Sequence, residues 1–260
     1  LGVNYVLSAG LHSYGFGGSK IATWLVIGGV VEIVYVTPLD GAFTKPVCNQ
    51  VLTSILVDKG INVVPNASLA SVTENSMFCP DGQQVGFDLM VTIPPHEGSP
   101  LIEDADLGDG LGFGRTDKQT LKSTLAERVF LVGDNAGILG SKAGSVAHFQ
   151  ADAVVHNILR EIAGQEAEPC ADGHTNCFIE TGHGKAVLID FNYDTQPVPG
   201  KFPLPVIGPM SLLKETYLNH LGKLAFKHIY WNMLLPARPL PMVGSRMSVL
   251  GKQLHFADHR

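Results

Sequence analysis

The sequence is poor in charged residues and has no long uninterrupted apolar run. Charged side chains make up only 16% of the 260 residues and the net charge is −6, which argues against a nucleic-acid partner that needs a basic surface. No stretch reaches the roughly 18 consecutive apolar residues of a membrane-spanning helix. Four cysteines are too few for a secreted disulfide scaffold and fit an intracellular protein with one or two working thiols.

The composition instead favours a well-packed chain with many turns. Hydrophobic residues make up 45%, and there are 29 glycines and 16 prolines, so a sizeable core and frequent close backbone approaches are expected. The chain begins at Leu1 without a basic stretch followed by a clean apolar run. No signal peptide is expected, and the N-terminus is interpreted as a fragment or processed end.

From residue 30 onwards the pattern is that of an α/β protein. Residues 30–37 (VVEIVYVT) form an apolar, β-branched run, residues 46–59 have apolar positions at helical spacing, and residues 61–64 form a second short run. A strand, a helix and a strand with short links are typical of a doubly wound α/β unit.

The remaining elements are predicted from periodicity and turn residues. Residues 1–29 give no clear element, no buried strand is expected before Gly15, and residues 96–116 are predicted to be loop. Further predictions are short strands at 69–72 and 77–78, buried strands at 87–93 and 129–132, a helix at 142–163, strands at 177–181 and 186–193, and a helix at 211–235 with Ser211 as N-cap.

The segment 128–136 (RVFLVGDNA) is the strongest candidate for chemistry. A predicted strand delivers Gly133 and Asp134 at its C-terminal end, the edge at which open α/β sheets bind ligands. Gly133 permits close approach of a ligand, Asp134 can accept hydrogen bonds from polyol hydroxyls, and a helix N-terminus follows. The plainer interpretation is that the two residues only make the turn.

The flanking residues TDKQTL (116–121) and SKAGSVAHF (141–149) extend this pattern. Together the three segments resemble the second FAD-binding motif of flavoproteins with two dinucleotide-binding domains. The resemblance implies that Asp134 binds the ribitol of FAD, beside Gly133. It also implies that the backbone at Lys142 and Ala143 approaches the pyrimidine edge of the flavin, where a positive group stabilises the reduced form.

The resemblance narrows to the sulfide:quinone oxidoreductases over most of the chain after residue 30. It rests on VEIVYVTPLDGAFTKP (31–46), FDLMVTIPP (87–95), SKAGSVAHF (141–149), CFIETGHGKAVLIDFNYDTQPVPG (177–200) and LLKETYLNHLGKLAFKHIYWNMLLP (212–236). It implies a partial, Rossmann-like flavoprotein with FAD as cofactor, sulfide as substrate, a membrane quinone as acceptor and a peripheral membrane location. A related NADH:quinone oxidoreductase is the alternative, but no Gly-rich turn directly follows the strand at 31–37.

The same resemblance divides the chain into four segments. Residues 1–29 would be an unclear remnant of the N-terminal part, and residues 30–116 a second nucleotide-binding-like domain. Residues 117–164 would be the flavin-facing return segment of the FAD domain. Residues 165–260 would hold C-terminal strands and an interfacial helix.

Cys177 is the candidate redox cysteine, because the resemblance places such a residue near the flavin face. A thiolate there can attack an oxidised flavin or carry sulfur in a disulfide or persulfide. Cys48 is predicted to be core, Cys79 lies in a turn, Cys170 is a candidate partner of Cys177, and residues 1–29 contain no cysteine. The spacing of Cys170, His174, Cys177 and His183 departs from common zinc patterns, so no metal site is predicted. His148 is interpreted as an ordinary core or surface residue.

The helix predicted at 211–235 is apolar around most of its circumference and carries interspersed lysines. Trp and Tyr with flanking basic residues are typical of a membrane interface. The residues expected to contact quinone or membrane are Phe178, Tyr217, Phe226, Tyr230 and Trp231. The alternative is a domain or dimer interface, which would make the protein a homo-oligomer.

The sequence contains no GxGxxG motif, which holds the FAD pyrophosphate in such flavoproteins. Gly15-Phe16-Gly17-Gly18 has the wrong spacing. Three explanations stay open: an N-terminal half lies outside this sequence, a partner chain supplies it, or FAD is not bound. In the last case the chain would be a non-enzymatic module that docks on a partner or membrane.

Overall fold

A computed structural model describes residues 4–9, 31–92, 96–240 and 242–257 of the chain. The chain divides into two compact units, Leu1–His96 and Glu97–Arg260. The boundaries predicted after residues 29, 116 and 164 separate segments by their role in a flavoprotein, which a division by compactness does not test.

The first unit is built on a mixed four-stranded sheet of order β3-β2-β1-β7 and a small antiparallel sheet of order β4-β5-β6. Strands β2 and β3 are parallel and are joined by helix α1 (Pro46–Asp58), which confirms the predicted strand-helix-strand unit. The strands are β1 (Asn4–Ala9), β2 (Val31–Val36), β3 (Asn62–Val64), β4 (Ser71–Val72), β5 (Ser76–Phe78), β6 (Gln84–Gly86) and β7 (Leu89–Thr92).

Local sequence explains these elements well. One face of β2 supplies Val34 and Val36 to a core that also holds Met77, and Tyr35 on the other face is buried too, as expected for a strand covered on both faces. Pro46 opens α1 at a position where a missing N–H costs nothing, and Gly60 follows its end with a φ of +74°.

Two predictions for this unit were wrong. The strand predicted at 87–93 is not buried: β7 lies at the edge of the sheet, and Leu89 and Val91 are exposed. Residues 1–29 also contain a strand, although the sequence predicts no clear element there, because β1 pairs antiparallel with both β2 and β7. Short polar and glycine-rich surroundings hid β1 from a periodicity search. The glycines at 15–18 and residue 93 lie outside the described residues.

The second unit combines a five-stranded sheet with three helices. Strands β10, β11, β9 and β12 are neighbours in that order and β8 pairs with β9, forming the predicted hairpin around Gly182-His183-Gly184. The elements are α2 (Pro100–Asp104), α3 (Gly144–Ile162), β8 (Thr175–Gly182), β9 (Lys185–Phe191), β10 (Gly200–Phe202), β11 (Met210–Leu212), β12 (Glu215–Thr216) and α4 (Tyr217–Ile229). The helix predicted at 142–163 is therefore confirmed as α3, whereas α2 interrupts the predicted loop at 96–116.

The predicted strand at 129–132 is not a regular strand. It makes a single bridge from Phe130 to Lys122, bounded by hydrogen bonds from Leu131 N to Leu121 O at 3.0 Å and from Ser123 N to Val129 O at 2.8 Å. A buried strand needs a continuous ladder on both sides. Among the described residues this segment is paired with residues 121–123 alone, so its apolar sequence is not matched by a sheet.

The helix predicted at 211–235 begins later than expected. Residues Met210–Leu212 and Glu215–Thr216 are strands β11 and β12, and α4 begins at Tyr217. The N-cap is Thr216, whose Oγ1 accepts from Asn219 N at 3.0 Å, and not Ser211. The helix then passes into a π turn, Tyr230–Leu234. Short apolar runs do not distinguish a buried strand from a helix turn, which explains the error.

Candidate functional site

Gly133 and Asp134 lie in a tight turn immediately before α3. Gly133 has a φ of +68°, and a Cβ added there would lie 3.3 Å from the Cβ of Ala147. Asp134 follows in the same 3-10 turn and is exposed. The turn therefore combines a left-handed glycine that a side chain would crowd with a carboxylate available to a ligand.

Gln150 fixes this turn from inside the protein, and sequence reasoning missed it. Its side chain is only 7% exposed, and its Oε1 accepts a hydrogen bond from Gly133 N at 2.7 Å. The signal was available, because Gln150 is a polar residue among the buried positions Val146, Phe149 and Ala153 of α3. A buried side-chain amide usually has a hydrogen-bond partner, because burying it without one costs free energy.

The N-terminus of α3 is open towards the same turn. Ala143 is the N-cap in an extended conformation, and its side chain offers no cap, so the first-turn N–H groups of the helix are not satisfied by a capping side chain. Unsatisfied first-turn amides and the helix dipole favour electronegative ligand atoms. The turn at Gly133 and Asp134 lies against this helix, since a Cβ added at Gly133 would be 3.3 Å from the Cβ of Ala147, and the role of Gly133, Asp134 and Ala143 in cofactor binding stays a prediction.

Lys142 lies beside this turn as well. Its Nζ donates to the carbonyl of Ala136 and lies 4.9 Å from the centre of the Phe113 ring. Partial burial lowers the pKa of Lys142, while Asp134 and Asp109 act in the opposite direction. The ammonium group of Lys142 is therefore partly buried and within the electrostatic influence of Asp134 and Asp109.

Cys177 lies on β8, opposite Ile189 of β9. The first turn of α3 reaches this strand, because Ser145 Oγ donates to the carbonyl of Asn176 at 2.9 Å. Burial raises the pKa of Cys177 above its usual value, and Asp190 raises it further, while the hydroxyl of Ser145 and the charge of Lys223 lower it. The structure thus places the predicted redox cysteine beside the first turn of α3, in surroundings that raise the pKa of its thiol.

A buried ionic cluster lies behind Cys177. Asp190 accepts from His174 Nε2 at 2.8 Å through Oδ1 and pairs with Lys252 Nζ at 2.7 Å through Oδ2, and each side chain is 3% exposed. Although burial raises the pKa of Asp190, the hydrogen bonds and charges of His174 and Lys252 outweigh it and hold that pKa below its usual value. The cluster ties β8 and β9 to residues near the C-terminus.

The structure does not support zinc binding by Cys170, His174, Cys177 and His183. Both ring nitrogens of His174 have partners, since Nδ1 lies 3.0 Å from Gly244 O and Nε2 binds Asp190. In the described parts of the chain, no group of three or more His, Cys, Asp or Glu side chains is arranged to hold a metal ion.

The cysteines do not form disulfide bonds with one another. All four cysteines are free, so Cys170 is not paired with Cys177. Cys48 is fully buried, as predicted, and burial raises its pKa to about 12. Cys79 is buried too, in the core of the first unit.

The predicted quinone and membrane residues are distributed over three elements: Phe178 lies on β8, Tyr217 and Phe226 lie on α4, and Tyr230 and Trp231 lie in the π turn after it. Phe178 and Phe226 are partly buried, and a Cβ added at Gly222 would lie 3.1 Å from the Phe178 ring, which shows how closely the helix approaches β8. Tyr217, Leu221 and Leu224 share the opposite face and are exposed, as are Tyr230 and Trp231 in the π turn, whose rings lie 5.4 Å apart. Among the described helices, none combines the length and the apolar content needed to cross a bilayer.

Two cavities adjoin α3. The larger, of about 290 Å³, lies between the helix and residues 168–174 and 245–246, with Cys170, His156 and Arg246 in its wall. The smaller, of about 10 Å³, is lined by Gly133, Lys142, Tyr193 and others. Gln150 lines both.

Comparison with known proteins identifies relatives of one kind. The chain is 32% identical over 152 residues to the mitochondrial sulfide:quinone oxidoreductase of Schizosaccharomyces pombe, covering 56% of this chain and 32% of that protein. It is 27% identical over 197 residues to the Dictyostelium discoideum protein of the same name, covering 73% of this chain and 42% of that protein. The chain therefore spans less than half the length of these relatives. No family model matches it.

Solved structures share the fold. A chain of the Tetrahymena thermophila mitochondrial ATP synthase matches with a TM-score of 0.59 at 18% identity, covering 80% of this chain and 51% of that one. The sulfide:quinone oxidoreductase of Aquifex aeolicus matches with a TM-score of 0.57 at 16% identity, covering 76% and 49%. The sequence relatives confirm the resemblance drawn from the motifs: over its matching part, this chain is similar to proteins named sulfide:quinone oxidoreductase.

Proposed function

We propose that this chain is the flavin-facing C-terminal part of an FAD-dependent oxidoreductase that passes electrons from sulfide to a membrane quinone. The observation that carries the proposal is the meeting of three features on α3: the Gly133–Asp134 turn before it, its open N-terminus, and Cys177 next to its first turn. The curated relatives bear the corresponding name. Within this proposal the segment limits at residues 29, 116 and 164 keep their assigned roles.

The described residues fit the flavin and ribityl parts of FAD. Gly133 has no side chain, so a polyol chain can approach its backbone closely. The exposed carboxylate of Asp134 can accept hydrogen bonds from the hydroxyls of that chain. The open amides after Ala143, with Lys142 nearby, suit an electron-rich ring edge. FAD, when bound, would accept two electrons from the sulfur substrate and pass them to the quinone.

Cys177 would be the residue that carries sulfur. Oxidation of hydrosulfide to the sulfane level removes two electrons, and that sulfur atom can be held on Cys177 as a persulfide. Burial raises the pKa of Cys177, and because the thiolate is the nucleophile, Cys177 would have to lose its proton before it reacts. Ser145 and Lys223 favour the thiolate, and Asp190 opposes it.

The outer face of α4 would dock on the membrane. Tyr217, Leu221 and Leu224 lie at spacing i, i+4, i+7 and are exposed, with Trp231 exposed in the following turn. An amphipathic helix with aromatic residues and flanking lysines is suited to lie in the bilayer interface. Phe178 lies on β8, and its ring packs against α4 at Gly222. This ring would then lie between Cys177 and the bound quinone. A peripheral membrane location follows, and the same face could alternatively pair two copies of the chain.

The deciding experiment is an absorbance spectrum of the natively purified chain. Flavin bands that bleach on addition of sulfide and return on addition of a soluble quinone are expected. The matched variant Cys177→Ser should keep the flavin bands and lose the bleaching. Because the chain has no GxGxxG motif, the spectrum is read together with the intact mass of the native protein, and a native protein that is colourless would contradict the enzyme proposal and favour the alternative of a non-catalytic docking module.

A further inference from the structure

Gln150 occupies a position that core packing alone does not explain. It is 7% exposed on the inward face of α3, between Val146, Phe149 and Ala153. An apolar side chain would be the ordinary choice there, because a buried carboxamide costs free energy unless its groups are bonded. Its oxygen accepts a hydrogen bond from Gly133 N at 2.7 Å.

The bond acts on the one residue of the turn with unusual backbone geometry. Gly133 has a φ of +68°. Glycine adopts positive and negative φ about equally readily, so its own preference does not fix this conformation. Without an acceptor its N–H would point towards the apolar side of α3. The bond to Gln150 therefore removes freedom from the residue that precedes Asp134.

The hydrogen bond between Gln150 and Gly133 lies beside two cavities. Gln150 lines the small cavity shared with Gly133 and Lys142, and also the larger cavity of about 290 Å³ beyond it. Gly133 in turn packs against Ala147 of α3. One buried side chain thus couples the helix, the turn and both cavities.

We propose that Gln150 is a positioning residue: its carboxamide oxygen holds the Gly133 N–H so that Asp134 and the open amides of α3 keep one fixed arrangement towards a bound ligand. The link to FAD rests on the proposed function. The clamping of the turn rests only on the contacts of Gln150 and is testable without any flavin.

The test compares Gln150→Leu, Gln150→Met and Gln150→Glu with the control Gln165→Leu, at an exposed position after α3. Hydrogen exchange is measured at the Gly133 amide and, as a reference for global folding, at β9 amides. Loss of the acceptor should speed exchange at Gly133 by about fivefold or more in the Leu and Met variants. Glu keeps an acceptor oxygen and should restore protection, and the control should not change it.

Flavin content per folded chain is measured on the same samples. We expect it to fall in the Leu and Met variants and to be kept in the Glu variant, in parallel with Gly133 protection. Unchanged Gly133 exchange in folded Leu and Met variants would overturn the clamp. Lost protection with unchanged flavin content would overturn the positioning role. A wild-type protein without flavin would instead contradict the proposed function, while hydrogen exchange at Gly133 would still test whether Gln150 holds the turn.

Discussion

The β8–β9 hairpin and the turn before α3 lie in the same unit and differ in how far their polar groups are buried and paired within the protein. In the hairpin, Asp190 is buried and both carboxylate oxygens are taken by His174 and Lys252. In the turn, Asp134 is exposed and the helix amides after Ala143 lack a capping side chain. The hairpin's polar groups are satisfied internally, which is typical of a structural support, whereas the open polar groups of the turn make it the candidate ligand site.

The difference teaches where substitutions should affect stability and where they should affect binding. Buried charges are costly when one partner is removed, because the other stays desolvated and unpaired. Exposed carboxylates and uncapped amides contribute little to folding but can be used by a ligand. The predictions below test this contrast, from the largest expected effect to the smallest.

The largest effect is expected from breaking the hairpin cluster. Lys252→Met leaves Asp190 buried with one counter-ion fewer, and we expect a loss of roughly 3–5 kcal/mol in the free energy of unfolding. The matched control is Lys185→Met, which removes a partly exposed pair with Glu215 at 3.5 Å and should cost about 1 kcal/mol or less. Urea denaturation of both variants measures this, and equal losses would contradict the assigned role.

Acidification should weaken the same cluster. The pKa of Asp190 lies below its ordinary value of 3.8, so the unfolded chain takes up that proton at a higher pH than the folded one. The stabilisation is therefore fully present above pH 3.8 and is lost as the pH falls through the lower, folded value. Denaturation curves between neutral and acid pH should show this loss, and Asp190→Asn should remove that part of the pH dependence.

Membrane docking should depend on the outer face of α4. Leu221→Glu with Leu224→Glu removes two exposed apolar side chains, each worth about 1.5–3 kcal/mol when buried in lipid. We expect binding to phospholipid vesicles to weaken by at least roughly 100-fold. Leu159→Glu, at an exposed position of α3, is the control that should leave co-sedimentation unchanged. Binding equal to that of wild type in the double variant would favour the dimer interface, to be checked by its oligomeric state.

Gly133→Ala should affect the turn by about 1 kcal/mol, because a side chain at a φ of +68° is strained. Gly164→Ala provides the same strain at a φ of +70° with no atom within 4 Å of the added carbon. Thermal melting should shift similarly in both variants. Only Gly133→Ala should lose flavin, and equal flavin content in the two variants would count against the turn as the cofactor site.

The smallest effect concerns the thiol itself. Ser145→Ala removes the hydroxyl that lowers the pKa of Cys177, so the thiolate fraction at a given pH should fall. Alkylation of Cys177 with iodoacetamide, followed by mass spectrometry across pH 7 to about 10, should become slower. Cys48, whose pKa is raised to about 12 by burial, serves as the unreactive internal reference.

Much of the fold could be predicted because it follows from local pattern. The strand-helix-strand unit around α1, the helix α3 and the β8–β9 hairpin were found from periodicity, Pro46 and the glycine-rich turn at 182–184. The apolar run at 129–132 and the start of α4 were mispredicted. In both cases the identity of the element depends on whether a neighbouring strand is present, and that information is not local.

The sequence alone determined that Gly133, Asp134 and Ala143 stand around the start of a helix, because all three are close neighbours along the chain. Only the tertiary structure decided that Cys177 lies at that helix, that Gln150 clamps Gly133, and that Asp190 is paired with Lys252. These contacts join residues 17 to 62 positions apart. They depend on how helix and sheet pack, which local propensity does not specify.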